Sequence, residues 1–249
     1  MRLGFVGTGS IAAAMVEGLG GGAVLSPRGA AVAAALAARF PGVTVADSNQ
    51  AVVDQCDMVV LSIRPQVAEE VVRALRFRKG QKVLSLIAAT QIATIRDWIG
   101  LDLPVIRAIP LPFVAERRCV TPIFPSDPDV AALFDRLGQT LECRTPDEFD
   151  LLAVGSTLMG SYFGILDVAQ SWLMQQGLPE AAARDYMSML FANLGQVAEA
   201  SDKSFATLRE EHSTRGGLNE QVFRIFGEEG GPEALRKGLD TVLQRVRGP

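Results

Sequence analysis

The sequence predicts an α/β fold: a Rossmann-like, doubly wound, mostly parallel sheet followed by an all-α C-terminal domain. Three observations carry this reading. From residue 3 to residue 144, apolar runs of strand length alternate with helical patterns. The runs are continuous in Val, Ile and Leu, as in strands covered on both faces. After Thr145-Pro146-Asp147 only helical periodicity remains, so the chain divides into domains 1–146 and 147–249.

The first strand, 3–6, runs into Gly7-Thr8-Gly9-Ser10-Ile11-Ala12, and a helix follows with Ile11, Met15 and Leu19 at i, i+4 and i+8. This is a dinucleotide-binding turn in its G-x-G-x-x-A form. Gly7 allows the tight exit from the strand, Gly9 lets a pyrophosphate approach the backbone, and Ala12 lets the helix lie close to the sheet. The helix start offers free N–H groups and a partial positive charge. Gly7, Thr8, Gly9, Ser10 and Ile11 are therefore candidate cofactor residues. Strands at 23–26, 43–46, 58–63, 83–87 and 105–109 follow, with helices at 29–40, 49–55, from Pro65, and 92–99 between them. Final strands are expected at 120–124 and 141–144, around a helix at 130–137. Ligands of such sheets lie beyond the carboxyl ends of the strands, which directs attention to loops 7–12, 26–28, 47–49, 64–66, 88–91 and 110–113. The C-terminal domain reads as helices at 148–176, 180–200, 204–211, 219–229 and 232–247, punctuated by Gly177-Leu178-Pro179 and Gly230-Gly231-Pro232.

Composition excludes several classes. The chain has 249 residues and a formal net charge of −4, which argues against nucleic acid as a partner. One histidine, His212, and three scattered cysteines give no metal-ligand spacing, so no metal is expected. Buried thiols at Cys56, Cys119 and Cys143 suit a reducing compartment, and the expected location is cytoplasmic. No secretory signal opens the sequence. Residues 151–166 carry no charge, but 16 residues fall short of the ~20 that span a bilayer; no membrane association is expected.

The cofactor is read from the end of the second strand. An acidic residue there would hold the ribose 2′-hydroxyl of NAD. This chain has Ser26-Pro27-Arg28 instead, a hydroxyl and a guanidinium suited to a 2′-phosphate. NADP is the expected cofactor, with NAD as the alternative.

Further loops carry a resemblance. Asp47-Ser48-Asn49, the run Met58 to Gln66 ending Ser62-Ile63-Arg64-Pro65-Gln66, Leu84 to Thr90, and Val105-Ile106-Arg107-Ala108-Ile109-Pro110 are similar to the aspartate/asparagine, L-A-V-K-P-Q, S-I-A-A-G and V-x-R-x-M-P stretches of the pyrroline-5-carboxylate reductase family. Gly177-Leu178-Pro179 and Ser213 to Asn219 resemble that family's G-L-P and T-S-P-G-G-T-T segments. The resemblance implies a Rossmann domain, a helical domain forming a homodimer, and an active site between them. It adds Asn49, Ile63, Arg64, Pro65, Ala88 and Ala89 to the cofactor residues. It also makes the loop after residue 211 the grip on the substrate carboxylate.

This chain departs from the pattern there. M-P-N-T-P becomes Ile109-Pro110-Leu111-Pro112-Phe113; S-G-S-G-P-A-Y becomes Gly155 to Ser161 without the proline; and P-G-G-T-T becomes Arg215-Gly216-Gly217-Leu218-Asn219. Ser213, Thr214, Arg215, Gly216 and Gly217 are the expected substrate-binding residues, with exposed loop amides and an arginine for a carboxylate. Asn219, at the family's second threonine, and His212, a proton relay near neutral pH, are the expected catalytic residues. The expected activity is NAD(P)H-dependent reduction of a C=N bond in pyrroline-5-carboxylate or a related small imino acid. A non-catalytic NADP-binding sensor or scaffold is one rival. A β-hydroxyacid-type dehydrogenase is another, but it would want a lysine base on the helix at 148–176, which contains none.

Overall fold

The computed structural model describes residues 1–248. An eight-stranded sheet has the order β3-β2-β1-β4-β5-β6-β7-β8. The strands are β1 (Leu3–Val6), β2 (Ala23–Leu25), β3 (Thr44–Val45), β4 (Met58–Leu61), β5 (Lys82–Ser85), β6 (Val105–Ala108), β7 (Cys119–Phe124) and β8 (Gly138–Glu142). All neighbours pair in parallel except β6 and β7. Strand order therefore reverses between β1 and β4, the crevice where a doubly wound sheet binds its ligand.

Helices cover both faces. One core joins Phe5, Met58, Val60, Leu84 and Ile106 to residues of α1 (Ser10–Leu19), α2 (Ala30–Arg39) and α6 (Pro128–Asp135). The other joins Val6, Val59, Leu61, Val83 and Val105 to α3 (Asn49–Gln55), α4 (Pro65–Arg73) and α5 (Ile92–Ile99). Adjacent strand residues thus serve opposite cores, as the pleat requires. Each fully buried Leu, Met or Phe contributes roughly 1.5–3 kcal/mol of transfer free energy.

Two elements differ from the sequence reading. The last strand begins at Gly138 rather than at 141. Gly138 has φ +139, and a Cβ there would meet the Cys119 carbonyl oxygen at 2.2 Å. A residue that weakens strands in general is used because two backbones meet closely. The expected helix 148–176 is two helices, α7 (Pro146–Gly155) and α8 (Leu158–Gln175), parted at Ser156-Thr157. Taken whole, the stretch Pro146–Gln175 is nonetheless long and apolar enough to cross a membrane by length and composition. Counting only the charge-free residues 151–166 underestimated it.

The chain forms two units. The first holds residues 1–154 and the segment from Leu243 onward; the second holds 155–242. The second unit contains α8, α9 (Glu180–Glu199), α10 (Phe205–Glu211), α11 (Leu218–Glu228) and most of α12 (Gly231–Arg247). Among α8 to α11 only Ala183 is buried. Trp172, Tyr186, Phe205 and Leu218 are 57%, 66%, 78% and 80% exposed.

One helical glycine is fixed by packing. The short 3-10 helix Pro112–Glu116 lies against α1, and a Cβ at Gly18 would meet the Val114 carbonyl oxygen at 2.1 Å. In an open helix Gly→Ala gains about 1 kcal/mol. Here the clash is with backbone, so Gly18→Ala should lose about 1–3 kcal/mol. A lowered urea midpoint is the expected result, and a raised one would refute the close packing.

Candidate functional site

The turn after β1 is built by three small devices. Gly7 has φ +96, and a Cβ there would meet the Ser62 carbonyl oxygen at 2.2 Å. Its N–H donates to Ser26 Oγ at 2.9 Å. Gly29, with φ +85, lets the start of α2 come against the Thr8 carbonyl, 2.6 Å from where a Cβ would sit. The turn after β1, the end of β2 and the end of β4 are thereby drawn together.

They enclose a cleft of about 540 Å³ lined by Gly7, Thr8, Gly9, Arg28, Gly29, Asn49, Ser62, Ile63, Arg64 and Gln66, with Val6, Val67 and Val71 behind. Its electrostatics have one sign. Among the lining residues are two arginines and no carboxylate. Besides α3, whose start at Asn49 is capped by Ser48 Oγ, three helices begin at its edge: α1 after Gly9, α2 after Gly29 and α4 after Arg64. None of these three has a side-chain cap or an acidic residue in its first turn. Each leaves open N–H groups and roughly +0.5 elementary charge at its end. Such a site suits an extended polyanion.

Of the expected cofactor residues, Gly7, Thr8, Gly9, Arg28, Asn49, Ile63 and Arg64 line this cleft. Ser10 and Ile11 open α1, and Pro65 is the first residue of α4. Ser26 is a correction. It is fully buried, its hydroxyl accepts from Gly7 N, and its carbonyl accepts from Thr8 Oγ1 at 3.0 Å. That hydroxyl shapes the turn and is not free for a ribose phosphate, which leaves Arg28. Gly29 escaped the sequence reading, although its place between Arg28 and a helix of alanines was a signal for a left-handed start.

Ala88 and Ala89 lie beyond β5, outside the lining of this cleft. Ala89 has φ +50, a left-handed conformation that costs a non-glycine residue roughly 1–2 kcal/mol. Thr90 Oγ1 donates to the Ala88 carbonyl at 3.1 Å and ties the turn. A second cavity of about 370 Å³, lined by Asp102, Pro104 and Asp127 among others, opens beside the start of β6. That is the end of a parallel strand where such sheets do not bind ligands.

In the second unit a separate pocket of about 290 Å³ is lined by Arg209, Glu210, Ser213, Arg215, Glu220, Phe223 and Arg224. The loop itself differs from expectation. Gly216 N donates to Glu220 Oε2 at 2.5 Å and Gly217 N to the Thr214 carbonyl at 2.7 Å. Both glycine amides are thus satisfied locally and are not exposed for a carboxylate. The first-turn amides of α11, from Leu218 to Glu220, are those a helix leaves open. Asn219 sits inside α11, not at its cap, and its Nδ2 donates to the His212 carbonyl at 2.7 Å. His212 Nδ1 lies 2.8 Å from the Leu208 carbonyl. A carbonyl only accepts, so Nδ1 carries the proton. Among the described residues no group of three metal-ligating side chains occurs.

Comparison with known proteins follows the same division. Residues 2–89 match a family model described as NADP oxidoreductase coenzyme F420-dependent. Residues 150–248 match one described as pyrroline-5-carboxylate reductase dimerisation. A pyrroline-5-carboxylate reductase of Pseudomonas aeruginosa is 27% identical over 98% of this chain and 95% of its own. The 1-pyrroline-5-carboxylate reductase of Streptococcus pyogenes has the same fold, with a TM-score of 0.87, 21% identity, and coverage of 99% of this chain and 98% of that one. So does the Plasmodium falciparum pyrroline carboxylate reductase with NADP bound, at a TM-score of 0.83, 13% identity, and coverage of 99% and 97%.

Two glycine substitutions separate folding from binding at the turn. A Cβ at Gly9 meets nothing within 4 Å, and Gly9 has φ −94. Gly9→Ala should keep the wild-type melting temperature yet weaken dinucleotide binding at least about tenfold, ~1.4 kcal/mol. Gly7→Ala should instead lower the melting temperature. Equal affinity in Gly9→Ala and wild type would place the phosphates elsewhere.

Proposed function

The chain belongs to the pyrroline-5-carboxylate reductase family, and from that premise we propose that it reduces a carbon–nitrogen double bond with NADPH. The substrate is pyrroline-5-carboxylate or a related cyclic imino acid, and the product is the saturated amino acid. The observation that carries the proposal is the cleft at the strand-order reversal, with two arginines, three uncapped helix starts and no carboxylate in its lining.

Within this reading the first unit holds the cofactor. The amides of Ser10 and Ile11 take the pyrophosphate, which Gly9 lets approach. Arg28 pairs with the 2′-phosphate, Asn49 borders the adenosine half, and Arg64 and Ala88-Ala89, after β4 and β5, border the nicotinamide half. The bound cofactor supplies the hydride, which leaves the protein to supply position, electrostatics and a proton route.

The second unit grips the substrate. Arg215 forms no ion pair among the described residues and is a bidentate partner for a carboxylate. Asn219 is oriented by the His212 carbonyl, which engages one of its two N–H groups and leaves the other for the substrate nitrogen. His212, once protonated at Nε2, is the proton donor. Ser213 and Thr214 border the carboxylate, and Gly216-Gly217 shape the turn that presents α11.

The exposed apolar helices of the second unit also need a cover. We assign it to a second copy of the chain and not to lipid. The dimerisation model spans 150–248 and so includes most of the apolar stretch. Asp150, at the first part of that stretch, is buried in an ion pair with Arg107. The three buried free thiols suit a reducing cytoplasm.

Oxidation of NADPH with pyrroline-5-carboxylate, scored against a panel of cyclic imines and keto acids, tests the activity. Turnover on an imino acid is expected; binding of NADPH with no turnover on any member would favour the sensor reading. Arg28→Ala should raise KM for NADPH about 10- to 100-fold, the worth of a charge-assisted contact of 1.5–3 kcal/mol, and leave that for NADH near wild type. Arg215→Ala should raise KM for the imino acid by a similar factor and leave KM for NADPH unchanged. An Arg215→Ala enzyme with unaltered substrate KM would remove this loop from the site.

A further inference from the structure

Arg107 of β6 is 3% exposed and Asp150 of α7 is 4% exposed. Arg107 Nη1 donates to Asp150 Oδ1 at 3.1 Å, and the guanidinium carbon lies 4.4 Å from the centre of the Phe149 ring. The same nitrogen donates to Gln91 Oε1 at 3.3 Å. Gln91 in turn donates from Nε2 to the Val246 carbonyl at 3.3 Å, at the end of α12. One chain of contacts therefore runs from the first helix after the sheet, through β6, to the residue that opens α5.

A buried ion pair is weak as a source of stability, because the desolvation of both charges offsets their attraction. Burial depresses the pKa of Arg107, but a guanidinium remains charged. What the pair fixes is direction. Asp150 and the Phe149 face hold the guanidinium, and its remaining contact points at Gln91. Gln91 ends loop 88–91, whose Ala89 is held at φ +50. Such a turn persists only where its surroundings over-determine it.

Topology says what the loop serves. Strand order reverses between β1 and β4, so β1 to β3 carry the adenosine half of a dinucleotide and β4 to β6 the other half. Loop 88–91 leaves the carboxyl end of β5, between β4 and β6. We propose that Arg107 and Asp150 are positioning residues that act through Gln91 to set Ala88-Ala89 at the nicotinamide. The proposal rests on the cofactor reading above, and neither residue touches the reacting atoms.

The test uses the full-length protein and two probes, NADPH and adenosine 2′,5′-bisphosphate, which carries only the adenosine end. Gln91→Leu cuts the link and leaves the ion pair in place. Arg107→Met with Asp150→Leu removes both charges together, so no unpaired charge stays buried. Gln91→Glu keeps an acceptor for Arg107 while giving up the donor to the Val246 carbonyl, and so is the control for the Arg107 contact alone. Both disruptive variants should bind the bisphosphate as wild type does, bind NADPH more weakly, and lose kcat roughly 10- to 100-fold. Gln91→Glu should retain most of kcat. Unchanged NADPH affinity and kcat in Gln91→Leu would overturn the proposal, as would equal losses for both probes, which mark a merely structural role. If the wild-type protein binds neither probe, the cofactor reading itself fails and the proposal with it. Wild-type binding of both probes, with Gln91→Leu indistinguishable, isolates the failure to the positioning pair.

Discussion

Gly7 passing over the Ser62 carbonyl is the contact on which the first unit depends. β1 and β4 are neighbours on opposite sides of the reversal, and Ser62 N donates to the Val6 carbonyl at 2.9 Å just before the chains part. Only a residue without Cβ can leave β1 there with φ +96. Once it does, Gly7 N meets Ser26 Oγ, Thr8 hangs from the Ser26 carbonyl, and Gly29 seats α2 against Thr8. The uncapped starts of α1 and α2 then border the same crevice as that of α4. The turn costs backbone freedom and open N–H groups, which a bound polyanion offsets.

The second unit is governed by a different constraint. Its helices bury almost nothing by themselves, yet they carry Trp172, Tyr186, Phe205 and Leu218 well exposed. Exposed apolar side chains in such number suit an interface. The proposed substrate loop, with Arg215 and His212, belongs to the same unit. In the proposed dimer, packing the apolar helices would therefore also hold the substrate loop, so assembly and activity would share one set of residues.

Legibility in the sequence followed locality. The turn from Gly7 to Ala12 could be read because a strand, a G-x-G-x-x-A run and a helix stand next to one another in the chain. The alternation of continuous V/I/L strands with helices gave the sheet for the same reason. Ser26 was misplaced because its partner Gly7 is nineteen residues away, and nothing local distinguishes a hydroxyl beneath a turn from one beside a ligand. The amides of Gly216 and Gly217 looked free because Glu220 reads as an ordinary helix charge until its carboxylate is seen on Gly216 N. The link from Asp150 through Arg107 to Gln91 joins three distant segments and leaves no periodic trace. The break at Ser156-Thr157 was hidden by apolar residues on both sides.

The most direct measurement is a crystal structure of the protein grown with NADP⁺. The account predicts the pyrophosphate on the amides at Ser10 and Ile11, the 2′-phosphate against Arg28, and the nicotinamide ring beside Ala88-Ala89. A dinucleotide bound with its 2′-phosphate away from Arg28, or seated outside the crevice between β1 and β4, would contradict it.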